Sequence, residues 1–206
     1  MLLSGEKPKK IKNPNHPRKG DRITVDPIRE IKDIKAIKQL LANNPRNLLL
    51  FTMGVNNGLR IGDLLKLKVK DVERLRPGQS IIIRESKTGK DNVLMVNNSL
   101  YKTIKSYSEI LKPDDEDYLF ASRKTQRPLT IQAVNALVKK WARAINLQGN
   151  YGAHTLRKTF GYIQRTQYAV GLEVLAKRFN HSSPAVTMRY LGLTSKEVNE
   201  VLMNDI

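Results

Sequence analysis

The chain has 206 residues, 40% of them hydrophobic, which is enough for one domain with a packed core and excludes a chain too polar to fold. Lysine and arginine number 37 against 19 acids, a net charge of +18 that favours a polyanion partner, nucleic acid before an anionic membrane. The absence of cysteine excludes disulfides, thiolate zinc sites and cysteine nucleophiles, and fits a reducing, cytoplasmic setting; no apolar run approaches the length of a membrane span.

Residues 1–22 place Lys7, Lys9, Lys10, Lys12, Arg18 and Lys19 among three prolines with no apolar period. This reads as a basic, mostly disordered arm whose charges would meet DNA phosphates. Most of the surplus charge still belongs to the remainder, 23–206, which reads as a single domain without internal repeats. Order should begin at Asp26-Pro27, a cap followed by a first-turn proline, with Ile28, Ile31, Ile34, Ile37, Leu40 and Leu41 following at helical spacing. A second helix is predicted over 46–57, stopped by Gly58, and a third over 61–67. Ser80–Arg84 and Asn92–Val96 look like two strands, and Gly89 between them suits a left-handed hairpin position, with Lys87 at the tip. Helices are then predicted near 98–111, 130–145, 155–167, 170–179 and 184–191, with a last one opening at the Thr194–Glu197 capping box. The fold class is α+β, mostly helical with a small antiparallel sheet.

Within this frame lie residues suited to one chemistry. Arg60 sits in Gly58-Leu59-Arg60-Ile61-Gly62-Asp63-Leu64-Leu65, where Asp63 could hold its guanidinium from behind. His154 and Arg157, three apart at a helix start, can face one spot where the helix terminus already favours an anion. His181 precedes Ser182-Ser183-Pro184, a cap and helix opening, and Arg189 and Tyr190 close that helix. Each residue alone has an ordinary reading: a surface ion pair, a capping histidine, a solvated arginine, a half-buried tyrosine, a lysine decorating a turn. Together they suit attack on a phosphodiester without a metal. A phenol is the nucleophile, two guanidiniums hold the phosphate, a histidine takes the phenol's proton and a lysine protonates the leaving oxygen.

In order and spacing, Gly58-Leu59-Arg60 with Asp63-Leu64-Leu65, Lys87 in a hairpin, His154-x-x-Arg157, and His181 nine residues before Tyr190 make the chain resemble the catalytic domain of the tyrosine recombinase (phage integrase) family over roughly residues 25–206. The resemblance implies that family's catalytic fold, with Arg60, Lys87, His154, Arg157, His181 and Tyr190 as active-site residues. Lys90 joins the arm as a DNA contact. The implied partner is double-stranded DNA, cut and rejoined through a 3′-phosphotyrosyl link by a homo-oligomer, a tetramer, with no cofactor, metal or membrane, in a bacterial or phage-infected cytoplasm at the nucleoid.

Asp63 stands where many members have Glu, Asn180 where many have Gly, and Lys158 where a second His is frequent. Members commonly carry an N-terminal DNA-clamping domain, and here only the basic arm is expected before the catalytic part. The stripe Val198, Val201 and Leu202 would dock either on its own core or, as the resemblance implies, on a neighbouring protomer. Two alternatives stay open: a DNA-binding regulator that keeps the fold without recombining, and a topoisomerase-like nicking-closing enzyme.

Overall fold

A computed structural model describes residues 24–193, so the arm lysines and arginines and the helix expected from Thr194 lie outside the described residues. The central element is α2 (Pro45–Asn57), whose Leu49, Leu50, Phe51 and Met53 are wholly buried. Asn44 caps it by accepting from the Asn47 N–H, Pro45 fills the first turn, and Gly58 stops it in the left-handed conformation at φ 60°. Two long helices pack on it, α5 (Asn98–Leu111) and α7 (Ala153–Tyr168). The approach of α2 to α7 is close: a β-carbon on Gly54 would lie 2.8 Å from Leu156 Cδ1, and one on Gly58 would lie 2.3 Å from Phe160 Cδ1. That contact sets the last turn of α2 against the first turns of α7.

The remaining elements follow from local signals. α1 (Ile31–Leu40) and α6 (Ile131–Ala144) close the main core around Ile37, Val134 and Trp141, with Trp141 edge-on to Phe51. Thr130 caps α6 by accepting from Ala133 N–H, and Asn97 caps α5 by accepting from Leu100 N–H. β1 (Ser80–Arg84) and β2 (Asp91–Met95) pair antiparallel with Ile82 opposite Val93 and Arg84 opposite Asp91. Their alternation turns Ile83 and Leu94 inward and leaves Ile82 73% exposed. α8 (Leu172–Phe179) and α9 (Pro184–Leu191) pack on each other and on α7 around a smaller apolar cluster of Leu175, Phe179 and Leu191. Gly161 of α7 permits this, since a β-carbon there would come within 2.7 Å of Leu191 and Phe179.

Two expectations need correction. Asp26 is not a helix cap: residues 24–30 are not helical and α1 begins at Ile31. The Asp26 N–H donates to Asn150 O at 2.7 Å, its carboxylate accepts from Asn150 N–H at 2.9 Å, and Ile28 N–H donates to Thr159 Oγ1 at 2.8 Å. These tertiary hydrogen bonds replace the ones a cap would make. The third helix ends at Leu64, not Leu67, and a separate turn of helix, α4 (Val69–Val72), follows α3 (Ile61–Leu64). There Asp71 accepts from the Lys68 N–H at 2.8 Å, a local cap that divides the apolar run. Among the described residues no helix is long and apolar enough to cross a membrane.

Candidate active site

The left-handed turn at Gly58 ends α2 and puts Arg60 at the N-cap of α3. Its guanidinium forms an ion pair with Glu85, a carboxylate with no exposed side-chain surface at the end of β1. The expected partner, Asp63, is buried and spent elsewhere: its Oδ1 accepts from the Ser86 N–H at 2.9 Å and from the Ser86 hydroxyl at 2.6 Å. Lys66 adds a 2.7 Å hydrogen bond to the same hydroxyl. Ser86 opens the hairpin turn, Gly89 takes it through φ 67°, and Lys87 and Lys90 stand exposed on it.

Arg157 is not the solvated arginine that its helix start suggested. It is 2% exposed, and two of its five N–H groups are already used: one nitrogen donates to Gly58 O at 2.6 Å, another to Phe179 O at 2.8 Å. The guanidinium carbon lies 4.6 Å from the centre of the Phe179 ring. The α2–α7 contact places Gly58 beside Arg157, and the αL residue Asn180 ends α8 so that Phe179 O is presented from the other side. Burial pulls the Arg157 pKa down to about 10, which leaves it charged at neutral pH.

His154, one turn earlier, is exposed at its outer edge. Desolvation on its inner side comes first, then the charges of Arg157, Lys87, Arg60 and Lys158, and all of them lower its pKa. His181 is held by Nδ1 at 3.0 Å from Thr187 Oγ1, on α9. Burial, followed by Arg157 and Arg60, takes its pKa down to about 4. Both rings are therefore neutral at pH 7.

Tyr190 lies in the last turn of α9. Its ring meets His181 edge-on at 5.0 Å and Phe179 at 5.7 Å between centroids. The Lys158 ammonium sits 5.2 Å from the ring centre. The hydroxyl is fully buried and makes no hydrogen bond among the described residues. Burial raises its pKa, and the charge of Arg157, whose guanidinium lies near the hydroxyl without meeting hydrogen-bond geometry, opposes the rise together with that of Arg60.

Two grooves meet at His154. One, of about 440 Å³, is lined by Arg60, Lys87 and His154, and the other, of about 400 Å³, by His154, Lys158, Arg189 and Tyr190. Arg60, Lys87, His154, Arg157, His181 and Tyr190 are thus brought together, and Lys90 lies on the rim of the same hairpin. Sequence reasoning passed over Glu85, Arg178 and Asn92. Arg178 reaches from α8 to the Asn57 carbonyl and the Asn92 side chain, and Asn92 donates to Glu85 at 2.9 Å. The one available signal was an acidic residue directly before Ser86-Lys87, at the end of a strand. Among the described residues no group of three or more His, Asp or Glu side chains is arranged to hold a metal ion.

Comparison with known proteins gives the following. The model of the phage integrase family matches residues 23–197. A probable integrase/recombinase of Bacillus subtilis, YoeC, is 40% identical over 172 residues, covering 82% of this chain and 90% of that one. The tyrosine recombinase XerA of Pyrococcus horikoshii is 28% identical, covering 94% of this chain but 64% of the relative. Among solved structures, the XerA recombinase superposes with a TM-score of 0.71 at 21% identity, over 89% of this chain and 66% of that one. The XerH site-specific recombinase, bound to its palindromic difH substrate in a post-cleavage complex, gives 0.67 at 21% identity, over 87% and 53%. Apart from the Bacillus relative, these comparisons leave a third or more of the longer proteins unmatched.

Proposed function

The chain belongs to the phage integrase family, and from that premise we propose that it is a site-specific DNA recombinase or integrase that cuts and rejoins strands through a 3′-phosphotyrosyl intermediate. The observation that carries this reading is the position of His154, shared by the groove of Arg60 and Lys87 and the groove of Tyr190. A phosphodiester lying across His154 meets the nucleophile on one side and both a guanidinium and an ammonium on the other.

The chemistry follows from the groups. A phenol is a poor nucleophile, and the buried Tyr190 hydroxyl more so, so it needs a base and a favourable field. Neutral His154 takes the proton; Arg60 and Arg157 favour the phenolate. Arg157 uses two of its five N–H groups on carbonyls, and those that remain grip a non-bridging oxygen while Arg60 takes the other. Both stabilise the charge that builds up at the pentacoordinate phosphorus. The Thr187 hydroxyl lies 3.0 Å from Nδ1, and in the neutral tautomer that carries its proton on Nε2 the His181 ring donates that proton to the phosphate. Lys87 protonates the departing 5′ oxygen. The phosphotyrosyl bond conserves the energy of the phosphodiester, so a 5′ hydroxyl from another strand reverses the step and exchanges strands without ATP.

The substrate in this reading is double-stranded DNA, bound by a homotetramer in the cytoplasm at the nucleoid, with Lys90 and the arm residues on its phosphates. A nicked suicide duplex offered with a 5′-hydroxyl acceptor strand tests it. Joined product is expected; cleavage without joining would indicate a nicking enzyme, and binding without cleavage a regulator.

A further inference from the structure

Glu85 is a buried carboxylate that the mechanism above leaves unused. Taking a carboxylate out of water is costly, and such a group persists where its lone pairs are met. Here they are. Oε1 accepts from the Asn92 side chain at 2.9 Å, and Oε2 accepts from the Thr88 hydroxyl at 2.6 Å and pairs with Arg60. Its backbone closes the same turn, with the Glu85 N–H donating to Lys90 O and the Gly89 N–H to Glu85 O, both at 2.9 Å. Burial pushes its pKa up, but the hydrogen bonds from Thr88, Asn92 and Arg60 outweigh that and hold it at about 2. It is ionised at every working pH.

The turn that carries Lys87 is consequently anchored on both flanks. Ser86, before the lysine, is fixed to Asp63 and Lys66 near α3; Thr88, after it, is fixed to the carboxylate that holds Arg60. We propose that Glu85 is a positioning residue that makes Arg60 and the Lys87 turn one mechanical unit, so that the guanidinium on the phosphate and the ammonium on the leaving oxygen are set together. The proposal rests on the recombinase reading and deepens it. It assigns a role in catalysis to Thr88, which touches neither phosphate nor nucleophile.

Two variants separate the flanks. Thr88→Val removes the turn's bond to Glu85 and leaves the ion pair; Glu85→Gln removes the charge on which both depend. Single-turnover cleavage is measured on an ordinary suicide duplex and on one with sulfur in place of the 5′ bridging oxygen. A thiol has a pKa of ~8.5 and leaves without a proton donor. Any defect that acts through Lys87 therefore disappears on the sulfur duplex. Thr88→Val is expected to slow the ordinary duplex by ~10-fold, a fraction of a full general-acid contribution, and to match wild type on sulfur, as Lys87→Ala does. Glu85→Gln is expected to lose ~100-fold or more, the scale of one charge contact in the transition state, with sulfur restoring only part. The double variant should equal Glu85→Gln alone.

Thr88→Val at the wild-type rate on the ordinary duplex, or equally slow on both duplexes, would overturn the proposal even if Glu85→Gln fails to fold. If wild type cleaves neither duplex, the recombinase reading falls and this proposal with it. If wild type cleaves both and the variants match it, only this proposal falls.

Discussion

Tyr190→Phe separates what the tyrosine does for the fold from what it does for the reaction. The ring is integral to the smaller apolar cluster, with Phe179, His181 and Lys158 against it, whereas the hydroxyl is buried with no hydrogen-bond partner among the described residues. A buried unpaired hydroxyl costs ~1–3 kcal/mol. Removing it should leave stability unchanged or raise it, and in a domain of this size each kcal/mol moves the melting temperature by roughly 2–4 °C. Tyr190→Phe is thus expected to melt at or a few degrees above wild type. Tyr190→Ala, which deletes the ring, should lose ~3–5 kcal/mol and melt well below it. DNA affinity in low salt should be unchanged by the Phe variant while cleavage is abolished. Thermal melts followed by circular dichroism, a filter-binding titration and single-turnover cleavage of a suicide duplex measure these three quantities. A Tyr190→Phe melting temperature clearly below wild type would show that the hydroxyl holds a hydrogen bond in solution and would refute this account of the site.

The other predictions follow from the same geometry. Arg60→Ala and Arg157→Ala should each slow single-turnover cleavage by at least ~100-fold, and Arg157→Lys should rescue little, because one ammonium cannot serve Gly58 O, Phe179 O and a phosphate together; rates within tenfold of wild type would favour a regulator. His181, lowered to about 4 from 6.5, and His154, also lowered, bind fewer protons folded than unfolded. Stability should therefore be level above about pH 6.5 and decline as pH falls towards 4, with His181→Gln flattening the slope; a wild-type melting temperature constant across that window would contradict the assignment. Cleavage should proceed fully in excess EDTA, since arginines meet the phosphate charge, and an activity restored by added magnesium would argue otherwise. Deleting residues 1–20 should weaken DNA binding and reduce its salt dependence, by up to ~0.9 in log–log slope per lost phosphate contact, and superimposable low-salt curves would show the arm to be idle.

What could be read from the sequence was what local chemistry decides. The Gly58 stop, the Gly89 turn, the Ser183-Pro184 helix opening and the 98–111 helix depend on neighbours within a few residues, and each lies where its signal put it. The six candidate site residues were found because their spacing resembles a family, not because any one of them stands out. What could not be read depends on partners far along the chain. Asp26 looks like a cap until Asn150 is beside it, 124 residues away. Asp63 looks like the partner of Arg60 because it is three residues distant, yet Glu85, brought in by β1, takes that place. Lys158 gave no hint of Tyr190, because α9 reaches it only through the α7–α9 contact.

The most direct measurement is mass spectrometry of the covalent adduct. Wild type is incubated with a suicide duplex, digested with protease and nuclease, and the peptide that carries nucleotide is sequenced. The account predicts a single modified peptide with a 3′-phosphate-linked nucleotide on Tyr190, absent from Tyr190→Phe. A nucleotide on any other residue, a 5′ linkage, or an adduct of equal yield from the Phe variant would contradict it.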